Sequence, residues 1–172
     1  MRTLFDVPSN LVRTRQEPTV PALFTDAHPT YEKIRALEAA IPLVFDDLLD
    51  IEDITDHEFC DGVYRREFFL AKDAVVVSKI HKKENWFLLF TGEVSIASAD
   101  GTVTRVKAPY LAKTPINTKR VVYAHEDSIM YTFHGNPDNE TDLVKLEDRY
   151  IMPEEKATLP RHIEQALLEN KR

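Results

Sequence analysis

The sequence predicts a mainly β domain, a jelly-roll barrel with an N-terminal arm and helix and with C-terminal helices. Short strand-like segments follow one another between residues 64 and 134, with turn signals at intervals of about ten residues. No long helical pattern interrupts them, which argues against alternating strand–helix units. The length of 172 residues and the 43% of hydrophobic residues suit one core with terminal extensions.

Residues 1–54 are predicted to form the N-terminal arm with one helix. Prolines interrupt residues 1–28, which we expect to be extended, either mobile or laid across a partner surface. Pro29 opens a helical pattern that runs to about Ala40, because apolar residues recur there at helical spacing. Pro42 is expected to end this helix.

Residues 55–136 are predicted to form the barrel. The strand-like segments are 64–70, 74–81, 85–90, 93–97, 102–107, 120–124 and 128–134. Asp100 and Gly101 indicate a hairpin turn, because both residue types tolerate the backbone that tight hairpins need. Trp86, beside a strand, is expected in the core.

Residues 137–172 are predicted to form a C-terminal helical segment. Thr141 is suited to cap a helix over residues 142–147, since its hydroxyl can accept hydrogen bonds from the first turn. A polar helix over residues 159–169 follows, and we expect it to lie on the surface or on a neighbour.

The charge and the cysteine content disfavour several classes of protein. The formal net charge is −7, and an anionic surface repels phosphate backbones, so no nucleic-acid partner is expected. The pairs Lys82-Lys83 and Lys119-Arg120 could still form a local basic patch. Cys60 is the single cysteine, which favours a reducing compartment and a packed, small apolar role.

The N-terminus lacks the apolar run of a signal peptide, and no apolar stretch is long enough to span a bilayer. No membrane partner is therefore expected. The sequence predicts a cytoplasmic protein.

Two segments resemble the motifs of the cupin superfamily. Residues 81–93 combine a histidine and a glutamate with a strand and a closing glycine, as the first cupin motif does. Residues 115–120 match the second motif, with Asn117 at the glycine position, where asparagine is tolerated because it accepts left-handed backbone. The resemblance implies the double-stranded β-helix of cupins.

Residues 55–147 are also similar to cupin-like proteins encoded by tailed bacteriophages. The features that match are His57 to Phe59 and residues 62–67, 79–82, 119–127, 131–134 and 139–143. This resemblance implies a phage protein acting in the host cytoplasm. It carries no defined activity.

A working cupin centre uses three imidazoles and one carboxylate around a divalent transition metal. By the resemblance, the glutamate position falls on Asn85, with Glu84 beside it, and one histidine position falls on Lys79. Arg120 stands at the histidine of the second motif, and a guanidinium has no lone pair to donate. The resemblance therefore implies a degenerate metal site, with His81 as its remaining donor.

Two expectations about cofactors stay open. A rearranged metal centre could use His57, His81 and His134. Otherwise the protein has no cofactor, and these histidines form local hydrogen bonds at the barrel mouth.

The same cavity could instead hold a small anion. Guanidinium groups in a partly apolar pocket clamp carboxylates or phosphates through paired hydrogen bonds. The candidate ligand-binding residues are Tyr64, Arg66, Lys79, His81, Glu84, Asn85 and Arg120, with Tyr123 beside them. The alternative is structural ion pairs, of Arg66 with Glu67 or Glu84 and of Arg120 with Glu84.

Three functions follow from these readings. The favoured one is a cupin-like binding protein for a small anionic ligand or a protein partner, because Lys79 and Arg120 replace metal donors. The second is a small-molecule enzyme, either metal-dependent or a metal-free sugar-nucleotide epimerase or isomerase. That reaction needs a base and an acid across the substrate, for which His81 and either Tyr123 or Tyr131 are candidates. The third is a virion or assembly protein.

A homodimer is also expected. Cupins pair their barrels through edge strands and N-terminal arms, and the resemblance implies the same here.

Overall fold

The computed structural model describes residues 11–13, 28–44, 48–49, 51–155 and 157–170. The strands are β1 (Leu11–Arg13), β2 (Leu48–Leu49), β3 (Thr55–Cys60), β4 (Gly62–Leu70), β5 (Ala74–Val77), β6 (Asn85–Thr91), β7 (Glu93–Ser98), β8 (Val103–Lys107), β9 (Tyr110–Thr114), β10 (Arg120–Ala124) and β11 (Ser128–Asn136). The helices are α1 (Tyr31–Val44), α2 (Leu143–Tyr150) and α3 (Arg161–Asn170), and a 3-10 turn spans Ile51–Ile54.

The strands form two antiparallel sheets, with the orders β3-β4-β11-β6-β9 and β2-β1-β5-β10-β7-β8. From β4 onward, the chain crosses from one sheet to the other at each step, except at the β7–β8 hairpin, in the manner of a jelly roll. The predicted mainly β fold with flanking helices is confirmed. Over the described residues the two sheets stay separate, so the domain is an open sandwich and not the closed barrel that the sequence predicts.

The main core lies between the sheets. Leu70, Leu89 and Val94 are almost fully buried there, and they come from β4, β6 and β7. A second cluster, with Ile34 and Val121, packs α1 against the outer face of the six-stranded sheet. The six-stranded sheet is therefore covered on both faces near β10.

The helix α2 closes one end of the space between the sheets. Leu146 and Tyr150 are buried against Tyr64 of β4. The chain after α2 is held by a backbone hydrogen bond of 2.9 Å from the Met152 N–H to the Ile80 carbonyl. α3 lies against α1.

Several boundaries differ from the predicted ones. β3 and β9 were not predicted as strands, and β9 fits between Pro109 and Pro115 because prolines are tolerated just outside a ladder. The strand β5 ends at Val77, so residues 78–81 lie outside the sheets. The helix α1 continues past Pro42 to Val44, since a proline in the last turn removes a single backbone hydrogen bond.

The cap of α2 is Asp142 rather than the predicted Thr141. The Asp142 carboxylate accepts from the backbone N–H groups of Val144 at 2.9 Å and Lys145 at 3.4 Å. A carboxylate at this position also interacts favourably with the positive end of the helix dipole.

The N-terminal arm is described in part. Residues 11–13 form β1, which pairs with β2 and β5, and the rest of residues 1–27 lies outside the described residues. No helix within the described ranges has the length and apolar character needed to cross a membrane.

Two turns explain the glycine pattern of the motifs. Gly92, between β6 and β7, has φ +85, and a Cβ there would lie 2.2 Å from Ser128 Oγ. Asn117, at the glycine position of the second motif, has φ 58. The prediction that asparagine takes left-handed backbone here is confirmed.

Candidate functional site

A cavity lies between the two sheets beside α2. Its empty space, counted out to its open mouth, is about 970 Å³. One part of its wall is apolar and includes Phe68, Leu70, Phe87, Ile96, Val122 and Met130. The other part is polar and consists of Arg66, Ser78, Lys79, His81, Asn85, Arg120, Thr132 and Glu147.

Strand alternation brings these side chains to one space. Residues two apart on a strand face the same way, so Arg66 shares the inner face of β4 with Phe68 and Leu70. Thr132 is the cross-strand partner of Arg66. Arg120 and Val122 enter from β10 of the opposite sheet, and the sequence prediction that Arg120 faces a cavity agrees with this placement.

Arg66 has an apolar contact in place of a counter-ion. Its guanidinium carbon lies 4.7 Å from the centre of the Phe68 ring, and its Nε is buried without a hydrogen-bond partner. The alternative ion pairs are not formed: Glu67 pairs with Arg65, and Glu84 pairs with Lys113 at 3.0 Å. Within the described ranges, no carboxylate forms an ion pair with Arg66.

Arg120 also forms no ion pair with a carboxylate among the described residues, and Asp100 acts on its charge only from beyond ion-pair distance. Its Nη2 donates to Thr114 Oγ1, and its backbone N–H donates to Ser78 Oγ at 2.9 Å. Burial lowers the pKa of Arg120, but a guanidinium stays protonated in proteins. The predicted pair of Arg120 with Glu84 is wrong, because Glu84 is exposed just before β6 and pairs with Lys113.

Among the polar side chains of the cavity, Asn85 has the most buried atoms without a hydrogen-bond partner. It is 4% exposed, and both its Nδ2 and its Oδ1 are buried without a partner. Thr114, its neighbour across β6 and β9, carries the hydroxyl that Arg120 bonds. Each unmet buried group costs about 1–3 kcal/mol, so a molecule that satisfies Asn85 would be stabilising.

Lys79 differs from the two arginines because it has a carboxylate partner. Its Nζ pairs with Glu147 Oε1. Glu147 comes from α2 and lines the same cavity. The pair is neutral as a whole, so the uncompensated charge of the polar wall belongs to Arg66 and Arg120.

Two histidines, the partly buried His81 and the buried His134, stand beside these cations. Burial, with the charges of Arg66, Arg120 and Lys79, lowers the pKa of His81 to about 4. Burial, with His81 and Arg66, lowers the pKa of His134 to about 3. Both imidazoles are therefore neutral at pH 7.

The candidate metal-binding histidines are brought together along a second, smaller cavity, but not as a ligand set. His57, Tyr64, His134 and His81 form a row of rings, with centroids 5.9, 5.6 and 5.5 Å apart. Successive rings are inclined by 30° or less. Imidazole lone pairs lie in the ring plane, so rings stacked in this way do not direct them at one ion.

The residues present do not fit a divalent cation. Arg66, Arg120 and Lys79 surround His81 and would repel a positive ion. Arginine and protonated lysine have no lone pair to give. Among the residues described, no three His, Cys, Asp or Glu side chains are grouped so as to hold a metal.

Three of the predicted site residues lie elsewhere. Tyr123 is buried beneath α1, where its hydroxyl donates to Asp73 at 2.8 Å. Tyr131 lies on the outer face of the five-stranded sheet, with the Arg65 guanidinium 4.8 Å from its ring centre. Glu84 is exposed. The pairing of His81 with Tyr123 or Tyr131 as acid and base is therefore wrong.

Tyr64 belongs to the smaller cavity, where its hydroxyl lies 2.8 Å from His57 Nδ1. Sequence reasoning missed Thr132, Ser78 and Glu147. Thr132 could have been predicted from the alternation of side chains along β11, had it been known which face of that strand points into the cavity. No local signal marks Glu147, which arrives from a separate helix.

The outer face of the five-stranded sheet is apolar and exposed. Phe69, Trp86, Phe90 and Leu111 are between 47% and 60% exposed on this face. The prediction that Trp86 lies in the core is wrong, because it alternates with the buried Asn85 and Phe87. Cys60 is exposed as well and is not the packed residue that was expected.

No protein-family model matches the sequence. No curated protein matches it significantly.

Solved structures of low sequence identity resemble part of the chain. A cupin-2 domain-containing protein from Shewanella frigidimarina is 12% identical with a TM-score of 0.39, over 47% of this chain and 80% of that one. The cupin domain of Schizosaccharomyces pombe Cnp3 is 15% identical with a TM-score of 0.41, over 55% and 69%. Salicylate 1,2-dioxygenase from Pseudoaminobacter salicylatoxidans is 10% identical with a TM-score of 0.45, over 56% and 27%. Each similarity covers about half of this chain and is too distant to assign a ligand.

Proposed function

We propose that this chain is a cupin-like binding protein that takes a small organic anion into the cavity between its sheets. The acidic group of the ligand would lie between Arg66 and Arg120, and its apolar part would lie against Phe68, Phe87 and Met130. The resemblance to proteins of tailed bacteriophages supports a phage origin and a role in the host cytoplasm.

The single observation that carries the proposal is a pair of cations in one cavity with which no described carboxylate forms an ion pair. Arg66 and Arg120 both line the cavity, and neither forms an ion pair with a carboxylate in the part of the chain described. Isolated charges away from water are costly, whereas guanidinium–carboxylate pairs are among the stronger polar contacts in proteins. A bound anion would therefore lower the free energy of this arrangement.

Binding of octanoate, followed by calorimetry and by thermal shift, tests the proposal. We expect octanoate to raise the melting temperature of the protein. Arg66→Met and Arg120→Met should each weaken its affinity by about tenfold or more, because charge-assisted hydrogen bonds contribute about 1.5–3 kcal/mol.

The matched control is Arg105→Met, which removes a guanidinium that is paired with Glu93 outside the cavity. It should leave the affinity for octanoate unchanged. Equal affinities in all three variants would contradict the proposal.

The expected homodimer is a separate part of the proposal. The outer face formed by Phe69, Trp86, Phe90 and Leu111 supports it, because exposed apolar patches mark contact sites. Leu111→Lys should shift the protein toward monomer in sedimentation velocity, with Lys72→Glu, on the exposed turn between β4 and β5, as the control. A wild-type protein that sediments as a monomer at micromolar concentration would contradict it.

A further inference from the structure

Asn85 presents both a hydrogen-bond donor and an acceptor to the cavity. Its Nδ2 and Oδ1 are buried and have no partner, and the side chain as a whole is 4% exposed. An amide can donate twice and accept twice. Asn85 therefore lacks both an acceptor for its Nδ2 hydrogens and a donor for its Oδ1. It lies beside Thr114, whose hydroxyl accepts a hydrogen bond from Arg120.

A ligand whose only polar group is a carboxylate cannot form hydrogen bonds with both Nδ2 and Oδ1 of Asn85. Its oxygens accept hydrogen bonds, so it can receive the Nδ2 hydrogens and those of the guanidinium groups. The Oδ1 atom needs a hydrogen that the ligand itself provides. The described residues that line the cavity do not supply one.

We infer that the ligand is a hydroxy acid with an apolar body, in which the hydroxyl group lies next to the carboxylate. The carboxylate is held by Arg66, Arg120 and the Asn85 amide nitrogen, and the hydroxyl donates to Asn85 Oδ1. The apolar body lies along Phe68, Phe87 and Met130. This inference rests on the proposed function and names the class of anion that the cavity selects.

The apolar part of the wall excludes more polar anions. Phe68, Phe87, Ile96 and Met130 offer no hydrogen-bonding group to the sugar or the base of a nucleotide sugar, and buried polar groups without partners are destabilising. The polar wall is also confined to one part of the cavity. A ligand with one compact polar end fits this division.

The test compares three acids of the same length by isothermal titration calorimetry: octanoate, 2-hydroxyoctanoate and 2-methoxyoctanoate. We expect the hydroxy acid to bind about tenfold more tightly than octanoate, as one well-placed hydrogen bond allows. The methoxy acid keeps the oxygen but has no hydrogen to donate. It should lose the whole advantage.

The variant Asn85→Leu should bind the hydroxy acid and octanoate with equal affinity. Equal binding of these two acids by the wild-type protein, as expected if water alone satisfies Asn85, would overturn the inference and leave the proposed function intact. Equal binding of the methoxy and hydroxy acids would also overturn it. Binding of none of the three acids would overturn the proposed function as well.

Discussion

Lys119 and Arg120 are neighbours in the chain, but their charges lie in opposite kinds of surroundings. The Lys119 side chain is 1% exposed, and its Nζ lies 2.9 Å from Glu154 Oε2 and 3.2 Å from Glu38 Oε1. The Arg120 guanidinium faces the cavity, with a threonine hydroxyl as its hydrogen-bond acceptor. Burial of a cation is common to both sites, and the presence of carboxylates distinguishes the structural site from the candidate binding site.

Arg35 completes the structural network. Its Nη1 lies 2.8 Å from Glu38 Oε2 and 3.5 Å from Glu154 Oε1. Two cations and two carboxylates thus join α1, the chain after α2 and the start of β10. The pair Lys119-Arg120 is therefore not the surface basic patch that the sequence left open.

The largest expected effect is on Lys119. Lys119→Met should lower the free energy of unfolding by about 3–5 kcal/mol, because it leaves two largely buried carboxylates short of a cation. Arg120→Met, the matched change at the next residue, should alter it by less than about 1 kcal/mol in the absence of ligand, since no carboxylate loses its partner. Urea unfolding of both variants measures the difference. Equal losses would contradict the distinction between the two sites.

Acid should lower the free energy of unfolding through the histidines beside the cavity. The pKa of His81 is about 4 in the folded protein, below the usual value of about 6.5. The unfolded chain therefore binds a proton, and the folded one does not, over the window between these values. His81 alone should contribute about 3 kcal/mol to the loss of stability as the pH is lowered from 6.5 to 4, and His134, whose pKa is also lowered, should add to this loss.

Urea unfolding between pH 7 and pH 4 tests this dependence. His81→Phe should reduce its slope, whereas His162→Gln, a change at an exposed position of α3, should not. A slope that is the same in wild-type protein and in His81→Phe would show that His81 titrates normally.

Asn85→Leu should raise the free energy of unfolding of the ligand-free protein by about 1–2 kcal/mol, because two unmet buried groups are removed. Asn136→Leu is the matched control. Asn136 is fully buried, and its amide nitrogen donates to the Glu140 carbonyl at 2.9 Å. The control should be destabilising, and a loss of stability in both variants would show that Asn85 has partners after all.

The smallest expected effect is on Glu84. Its pair with Lys113 joins two side chains that are about half exposed. Glu84→Gln should change stability by less than about 0.5 kcal/mol and should leave the affinity for octanoate unchanged. A loss of affinity for octanoate would show that Glu84 takes part in binding after all.

The strands that alternate strongly, or that are bounded by clear turns, were predictable from sequence. β10 was predicted at its observed bounds, and β6 and β7 to within one residue at each end. Of the seven ligand-binding residues named from sequence, five line the cavity, namely Arg66, Lys79, His81, Asn85 and Arg120. Tyr64 and Glu84 do not line it.

The errors arise where both faces of a strand are apolar. In β10, Val122 faces the cavity and Tyr123 faces α1, so alternation alone cannot tell which face is inner. The same holds for Tyr131 and Met130 in β11. Glu147 could not be predicted, because its position depends on where α2 docks and not on its own neighbours in sequence.

The different surroundings of Lys119 and Arg120 also help to fix the register of β10 in its sheet. A slip of one residue would turn every side chain of the strand to the opposite face. The ammonium would then enter the cavity, the guanidinium would meet the pocket of Glu38 and Glu154, and Tyr123 would be driven between the sheets. Because the two adjacent cations require different surroundings, they favour the observed register of β10 over a shift by one residue.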